Sequence, residues 1–512
     1  MIGLPNWALD ALSILTQLFI LTIGVVALLA LFLYARDTTQ TADAVRRNYP
    51  LVGRFRSLFT TLGEFFRQYF FAMDREELPF NRAEREWIHR ASDGKGGTIP
   101  FGSTKPLTPV GTAIFVNCPF PVLEDDAAKT QALRIGPHCR TPYDAPSFFN
   151  ISGMSYGALS KPAVRALSRG AAKAGIWMNT GEGGLSPMHL EGGCDIVFQI
   201  GTAKFGVRDE KGRLSDAKLR EVAAHDQVKM FELKLSQGAK PGKGGILPGA
   251  KVNKEIAKIR GIAVGEDAIS PNRHPEIDSV EDLLDMIARI REVSGKPVGI
   301  KFVVGAYGWL YELADAIKAR GLESAPDFIT VDSGDGGTGA APMALMDNVG
   351  LPVRESLPMV AEILRRSGLR ERIRIVASGK LVIPGAVAWA LASGADFVQC
   401  GRGFMFSLGC IQALKCHKNT CPTGVTTHKK SLQRGLVVKE KSEKVAEYAR
   451  TITAHVEMIA HSCGVGEPRK LQRKHVRIVQ EHGRSIPMTD MRFMPEIDPA
   501  TEKDDRDLPH QV

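Results

Sequence analysis

Three cysteines fall within one 12-residue window: Cys410, Cys416 and Cys421 in GCIQALKCHKNTCPTGV, spaced Cys-x5-Cys-x4-Cys with Pro422 after the third. Thiolates are the ordinary ligands of iron–sulfur clusters, and three in one short segment could hold a cluster with an open corner. A zinc site of the three thiolates with His417 uses the same segment differently. Three unrelated buried thiols would need no metal. Spacing alone leaves these readings open.

A second group of candidates is a set of glycine-rich loops: SGMSYG (152–157), NTGEGG (179–184), QGAKPGKGG (237–245), DSGDGGTGAAP (332–342), ASGK (377–380) and CGRG (400–403). Gly379, Gly401 and Gly403 could present backbone N–H groups to a phosphate, and Arg402 would add a fixed charge. That pattern suggests a phosphorylated cofactor. A third group is charge inside apolar runs: Lys234 in FELKLS and Lys301 in VGIKFV. A buried ammonium needs an anion or a ring acceptor, so each reads as a ligand contact unless it snorkels at a strand end.

These residues need a frame that gathers them. Eight short apolar runs precede the loops: 148–153, 176–181, 196–201, 230–235, 298–303, 328–334, 373–379 and 397–401. Helical stretches such as SKPAVRALSRGAAKAG and SVEDLLDMIARIREVSG lie between several of them. Strands alternating with helices argue for parallel βαβ units, and eight runs fit a (β/α)8 TIM barrel. Polar and glycine residues gather at the C-terminal ends of the runs, where barrels carry their active sites. A doubly wound sheet is the weaker alternative, because no G-x-G-x-x-G opens a helix after the first strand.

Outside the barrel, residues 11–34 carry no charge over 24 positions, about 36 Å of helix, enough to span a bilayer core. Arg36, Arg46, Arg47, Arg54 and Arg56 follow and no basic residue precedes. The expectation is a single-pass anchor in the inner (plasma) membrane with the bulk of the chain cytoplasmic. A signal peptide would want a basic n-region and a shorter apolar run. The segment LFTTLGEFFRQYFFAM places Leu58, Leu62, Phe65, Phe66 and Tyr69 at helical spacing, either on a membrane surface or packed on the main domain. The domain reading is 1–37 anchor, 38–147 preface, 148–430 barrel with the cysteine segment, and 431–512 extension. In the extension a helix over 439–463 would bury Val445, Tyr448, Ile452, Val456 and Ile459. PRKLQRKHVR then reads as a solvated face or as a membrane or partner contact, and TEKDDRDLPHQV as a frayed end. The net charge of +10 would suit nucleic acid, a membrane or phosphate ligands, but no nucleic-acid module appears and nucleic acid is not an expected partner. Eight cysteines on the cytoplasmic side argue against disulfides.

The ordered run ISGMSYGALS, NTGEGG, QIGTAKFGV, ELKLSQGAKPGKGGILPGAKV, ISP, DSGDGGTGAAP and GCIQALKCHKNTCPTGV resembles the FMN-binding synthase domain of glutamate synthases. The resemblance covers about half the chain. It implies an FMN barrel and a 3Fe–4S cluster on Cys410, Cys416 and Cys421. It implies that Met154, Ser155, Gln199, Lys301, Gly336, Gly337, Gly379, Gly401 and Arg402 lie near the flavin, with Glu182, Gln199 and Lys234 near a 2-oxoacid. The implied activity is reductive amination, by default 2-oxoglutarate to glutamate, with electrons from a ferredoxin-like or flavoprotein partner. Alternatives are a related amino-acid dehydrogenase passing electrons to the membrane, or an electron-transfer subunit without substrate turnover. Two departures stand out. No glutaminase domain is expected within this chain. Lys204 stands where the family has Arg, so a carboxylate there would meet a point charge instead of a two-pronged fork.

Overall fold

The computed structural model describes residues 5–40, 43–95, 97–128 and 130–493. The chain divides into two compact units, Met1–Ala83 and Glu84–Val512.

The first unit opens with α1 (Asn6–Thr39), a 34-residue helix with a mean hydropathy of 2.7 over its most apolar window, none of which is buried by protein. It is long and apolar enough to cross a membrane. At its end, Asp37 accepts hydrogen bonds from Arg54 Nε (2.8 Å), Arg54 Nη2 (2.6 Å) and Leu51 N (3.1 Å). Those bonds fix the start of α2 (Val52–Phe66), which continues as a π-helical turn, Arg67–Phe71. Of the expected stripe, Leu58, Phe66 and Tyr69 are exposed and Leu62 is half-buried; the side chain of Phe65 lies outside the described residues.

The second unit is built on a closed parallel barrel of β1 (Phe149–Ile151), β2 (Met178–Asn179), β3 (Ile196–Ile200), β4 (Val228–Lys234), β5 (Val298–Val303), β6 (Phe328–Asp332), β7 (Arg374–Ser378) and β8 (Phe397–Cys400). All eight fall inside or across the apolar runs read from the sequence. β8 closes on β1 with Val398 opposite Phe149. The crossovers carry the end signals expected of them. α3 (Lys161–Ala174) begins where the Ser160 hydroxyl accepts from Ala163 N and stops at Gly175, φ 65°. α4 (Val280–Ser294) is capped by Ser279 and stops at Gly295, φ 71°.

Side chains two apart on a strand share a face, so the barrel interior is layered. The lower layer is apolar: Trp177, Val197, Met230, Phe328, Val376 and Phe397, closed from below by Ile135, Tyr143 and Ala145 of a preface hairpin. Burial of each large side chain contributes about 1.5–3 kcal/mol. Gly299 makes room for it, since a Cβ there would lie 2.4 Å from the Phe328 ring. Two residues further up, the same strands turn polar, with Asn179, Gln199, Glu232, Thr330 and Gln399, all 3% exposed or less.

The rest of the preface and the C-terminal extension join this unit, which is why the compact division falls at Ala83/Glu84 and not at 147/148. Ala113–Phe115 pairs antiparallel with Val476–Val479. α5 (Val438–Ser462) packs on α3 so closely that a Cβ on Gly170 would meet Val445 at 2.4 Å. Val445, Tyr448, Ile452 and Val456 are buried as expected, and Ile459 only partly. The basic segment folds as two short 3-10 turns leading into a strand. Arg469 donates to Asp396 O and Gln131 O, and Arg473 to Pro358 O. The 501–512 stretch lies outside the described residues.

Candidate active site

One cavity opens at the C-terminal mouth of the barrel, with about 1290 Å³ free of protein atoms and part of that open to solvent. Met154, Ser155, Glu182, Gln199, Lys234, Lys301, Gly337, Gly379, Gly401, Arg402 and Cys416 all line it. Lys204, Gly336, Cys410 and Cys421 do not.

Beneath the cavity, Glu232 gathers the polar layer. It accepts from Gln199 Nε2 (2.6 Å), Asn179 Nδ2 (2.9 Å) and Thr330 Oγ1 (2.7 Å). Asn179 and Thr330 come from strands that do not neighbour β4, so these bonds cross the barrel interior. Lys301 Nζ lies 3.4 Å from Asp332 Oδ2, which also accepts from Gly238 N at 2.9 Å. Burial works against the Lys301 ammonium. Asp332, Glu232 and Glu182 outweigh it and hold the group above the ordinary lysine value.

The next cluster is charged. Lys234 Nζ donates to Glu182 Oε2 and Gln237 Oε1, both at 2.8 Å. Burial would raise the Glu182 carboxyl. Lys234 first, then Lys240 and Arg260, overcome that and bring it down to about 2, so it is a carboxylate at neutral pH. Lys240 lines the cavity and is 5% exposed; burial lowers it to about 8, Glu182 opposing. Arg260 donates to Tyr156 O at 3.3 Å, lies 5.1 Å over the Phe205 ring, and is lowered by burial to about 10. Three cations therefore converge on one carboxylate.

Met154 is held at its backbone. Its N–H donates to Asn179 O at 3.0 Å, and its carbonyl accepts from His189 Nε2 at 2.9 Å. Ser186 N donates to His189 Nδ1 at 3.2 Å, which leaves the imidazole proton on Nε2. Burial pushes His189 down to about 4, so it stays neutral in this role.

The β7 and β8 loops close the other side. Gly379 takes φ 124°, and a Cβ there would lie 2.1 Å from Ser333 Cβ. Arg402 is half-buried, and a Cβ on Gly337 would meet its Nε at 2.7 Å. Lys380 pairs with Asp335 at 2.7 Å. Gly336 shapes a loop crossing instead of lining the cavity: a Cβ on Gly238 would lie 2.8 Å from its Cα.

Lys204, expected at the substrate, is not among the residues lining the cavity. Its side chain is 1% exposed, its ammonium pairs with Glu276 Oε2 at 2.8 Å, and it donates to Thr202 O at 3.4 Å. Besides Arg402, a second guanidinium lines the cavity, that of Arg260 in KEIAKIRG, a helix whose sequence carries no motif. Gln237, Lys240 and Asp332 lie within the glycine-rich loops with no chemical signal of their own, and Gln399 reads in sequence only as a strand residue.

In the cysteine loop, Cys416 reaches the cavity wall. Burial pushes Cys410 up to about 12, with Cys416 and Cys421 adding to the rise. Burial also raises Cys416, while Thr426 and Lys251 pull against it. Cys421 sits below the ordinary thiol value, because hydrogen bonds from Thr423 and Thr426 outweigh burial. Gln412, Leu414 and Asn419 take positive φ of 54–56°, local strain of the kind that marks functional loops. His417 is exposed, and among the described residues no three His, Cys, Asp or Glu side chains converge as a metal site.

A signature for the conserved region in glutamate synthase spans residues 119–466. The glutamate synthase large subunit-like protein YerD of Bacillus subtilis is 39% identical over 516 residues, covering 93% of this chain and 98% of that protein. The archaeal glutamate synthase [NADPH] of Methanocaldococcus jannaschii is 34% identical over 330 residues, covering 64% of this chain and 61% of its own length, so the chain spans less than two thirds of that relative. A solved mandelate oxidase with benzoyl-formic acid aligns at 16% identity and a TM-score of 0.43, over 77% of this chain and 98% of that one. With the signature covering most of the chain and the barrel mouth furnished as described, the chain belongs to the glutamate synthase family and is a glutamate-synthase-like oxidoreductase.

Proposed function

We propose that the protein reductively aminates a 2-oxoacid, by default 2-oxoglutarate, using FMN. The observation that carries the reading is one cavity shared by phosphate-type glycine loops, an ammonium held charged, and a cationic cluster. FMN, when bound, supplies hydride transfer. Gly379, Gly401 and Arg402 would hold its phosphate. The fit rests on the glycines: a side chain at Gly401 would crowd Met154 Cε at 3.2 Å, and one at Gly379 has no space.

Lys301 keeps a positive charge at the cavity floor, where it stabilises negative charge that develops during reduction. Lys240 and Arg260 anchor the carboxylates of the 2-oxoacid. Glu182 orients Lys234 and balances its charge; held ionised, it is no proton donor at neutral pH. His189 fixes the Met154 carbonyl. Ammonia or an amine provides the nitrogen of the imine that is reduced.

Cys410, Cys416 and Cys421 are proposed as ligands of a 3Fe–4S cluster. The donor set, the neighbouring Lys251 charge and the strained loop favour it. The three thiols do not converge as they stand. A ferredoxin-like or flavoprotein partner would deliver electrons. α1 is proposed as a membrane anchor, and its exposed apolar surface supports that.

The test is full-length protein purified anaerobically in detergent. The reading expects flavin absorption bands that bleach with a chemical reductant and recover on adding 2-oxoglutarate with ammonia, with glutamate formed. Flavin that is bleached but never reoxidised by any 2-oxoacid would favour an electron-transfer subunit instead.

A further inference from the structure

The polar layer contains one side chain that bonds to nothing among the described residues. Gln399, on β8, is 1% exposed and lines the cavity, and neither its Oε1 nor its Nε2 has a hydrogen-bond partner among the described residues. Its neighbours are committed. Asn150 Oδ1 accepts from Trp177 N and Nδ2 donates to Ser147 O, both at 3.0 Å. Asn179 Oδ1 accepts from Gly181 N, and its Nδ2 and Gln199 Nε2 both donate to Glu232. A buried amide unpaired at both ends is costly and uncommon in native proteins, and at a cavity wall it points to a ligand.

Two properties identify that ligand. The amide offers a donor and an acceptor side by side, and a hydroxyl answers both. The position is also informative. Gln399 stands in register with Ser378 on β7, two residues before Gly401, on the side of the mouth that Gly379 and Arg402 close. Lys234 and Lys301 stand on β4 and β5, across the barrel. A ligand with phosphate on the first side and a redox ring on the second must pass its connecting chain over Gln399. In FMN that chain is a polyol.

We propose that Gln399 is a flavin-binding residue whose amide hydrogen-bonds the ribityl hydroxyls. This rests on the FMN reading above. It makes the contact indifferent to the phosphate, so riboflavin feels it as FMN does.

The test uses full-length protein in detergent, stripped of flavin and titrated with FMN and with riboflavin by fluorescence quenching. Gln399→Leu is expected to weaken both flavins by the same factor, about tenfold, the worth of one or two neutral hydrogen bonds. Gln399→Met, close in shape, should do the same, which keeps the test open if the first variant does not fold. The flavin-free variants should melt no lower than flavin-free wild type, because the lost amide had no protein partner; only the stabilisation by bound flavin should shrink. Unchanged flavin affinity in both variants overturns the proposal. So does a loss confined to FMN, which would place the contact at the phosphate, or flavin-free variants that melt well below wild type, which would make the role structural. Wild type that takes up neither flavin overturns the FMN reading and this proposal together, whereas wild type that binds flavin beside unaffected variants overturns this proposal alone.

Discussion

Lys240 provides the most demanding test of the carboxylate site. Burial brings its ammonium from the usual 10.5 to about 8. A group with that value is about nine-tenths ammonium at pH 7 and about one-tenth at pH 9. If the charged form holds a substrate carboxylate, the Kd for 2-oxoglutarate rises about tenfold between those pH values, about 1.4 kcal/mol. The ligand carboxylates are ionised throughout, so they add no slope of their own. Lys240→Met removes the contact at every pH. It should weaken binding at pH 7 by about 1.5–3 kcal/mol, the range for a charge-assisted hydrogen bond, and flatten the profile. Lys240→Arg keeps the charge well above pH 10 and should flatten the profile without the full loss at pH 7. The assay is equilibrium titration of the oxidised holoenzyme, followed by flavin absorbance, with no turnover and no ammonia to confuse the titration. A Kd that is level from pH 7 to 9 in wild type would refute the reasoning, as would a rise that persists in Lys240→Met.

Glu182→Gln should destabilise the fold by about 3 kcal/mol at neutral pH, because a carboxyl at about 2 in the folded chain against 4.5 unfolded contributes about 1.4 kcal/mol per unit. That contribution is complete above about pH 4.5 and is lost as pH falls toward 2, so the gap between wild type and variant should narrow from pH 5 to pH 3 in denaturant melts; a constant gap contradicts it. Cys416→Ser should abolish bound iron while Cys118→Ser retains it, checked by metal analysis after anaerobic purification, and stoichiometric zinc without iron would refute the cluster. Removing residues 1–83, the whole first unit, should release a soluble yellow protein, whereas full-length protein that washes off membranes with salt alone would sink the anchor.

The barrel was legible because its strands are buried on both faces and stop abruptly. IVFQIG, VGIKFVVG and FITVDSG are each largely apolar and end at glycine, and each holds a strand at that place. The terminal segments were less so. Ala113–Phe115 and Val476–Val479 are paired although some 360 positions separate them, and nothing in a three-residue strand announces so distant a partner. The same holds for Arg469, whose charge looked like surface and whose partners are carbonyls brought from residues 131 and 396.

The site shows where motif reading stops and electrostatics must begin. Lys204 and Arg260 could each have been the carboxylate anchor, and the motif favoured Lys204 because a family residue of like charge stands there. What separates them is the company each keeps. Lys204 has Glu276 at 2.8 Å, a carboxylate that already neutralises it, so a substrate would have to displace a bond the protein makes to itself. Among the described residues no carboxylate is bonded to Arg260; it donates to a carbonyl at 3.3 Å and lies over a ring face, and its Nε has no partner. A guanidinium held that way keeps its charge for a ligand, and Lys240 at the same cavity does so too. The neutralising partner comes from a loop 72 positions beyond Lys204, so no window of sequence around either cation contains the fact that decides between them.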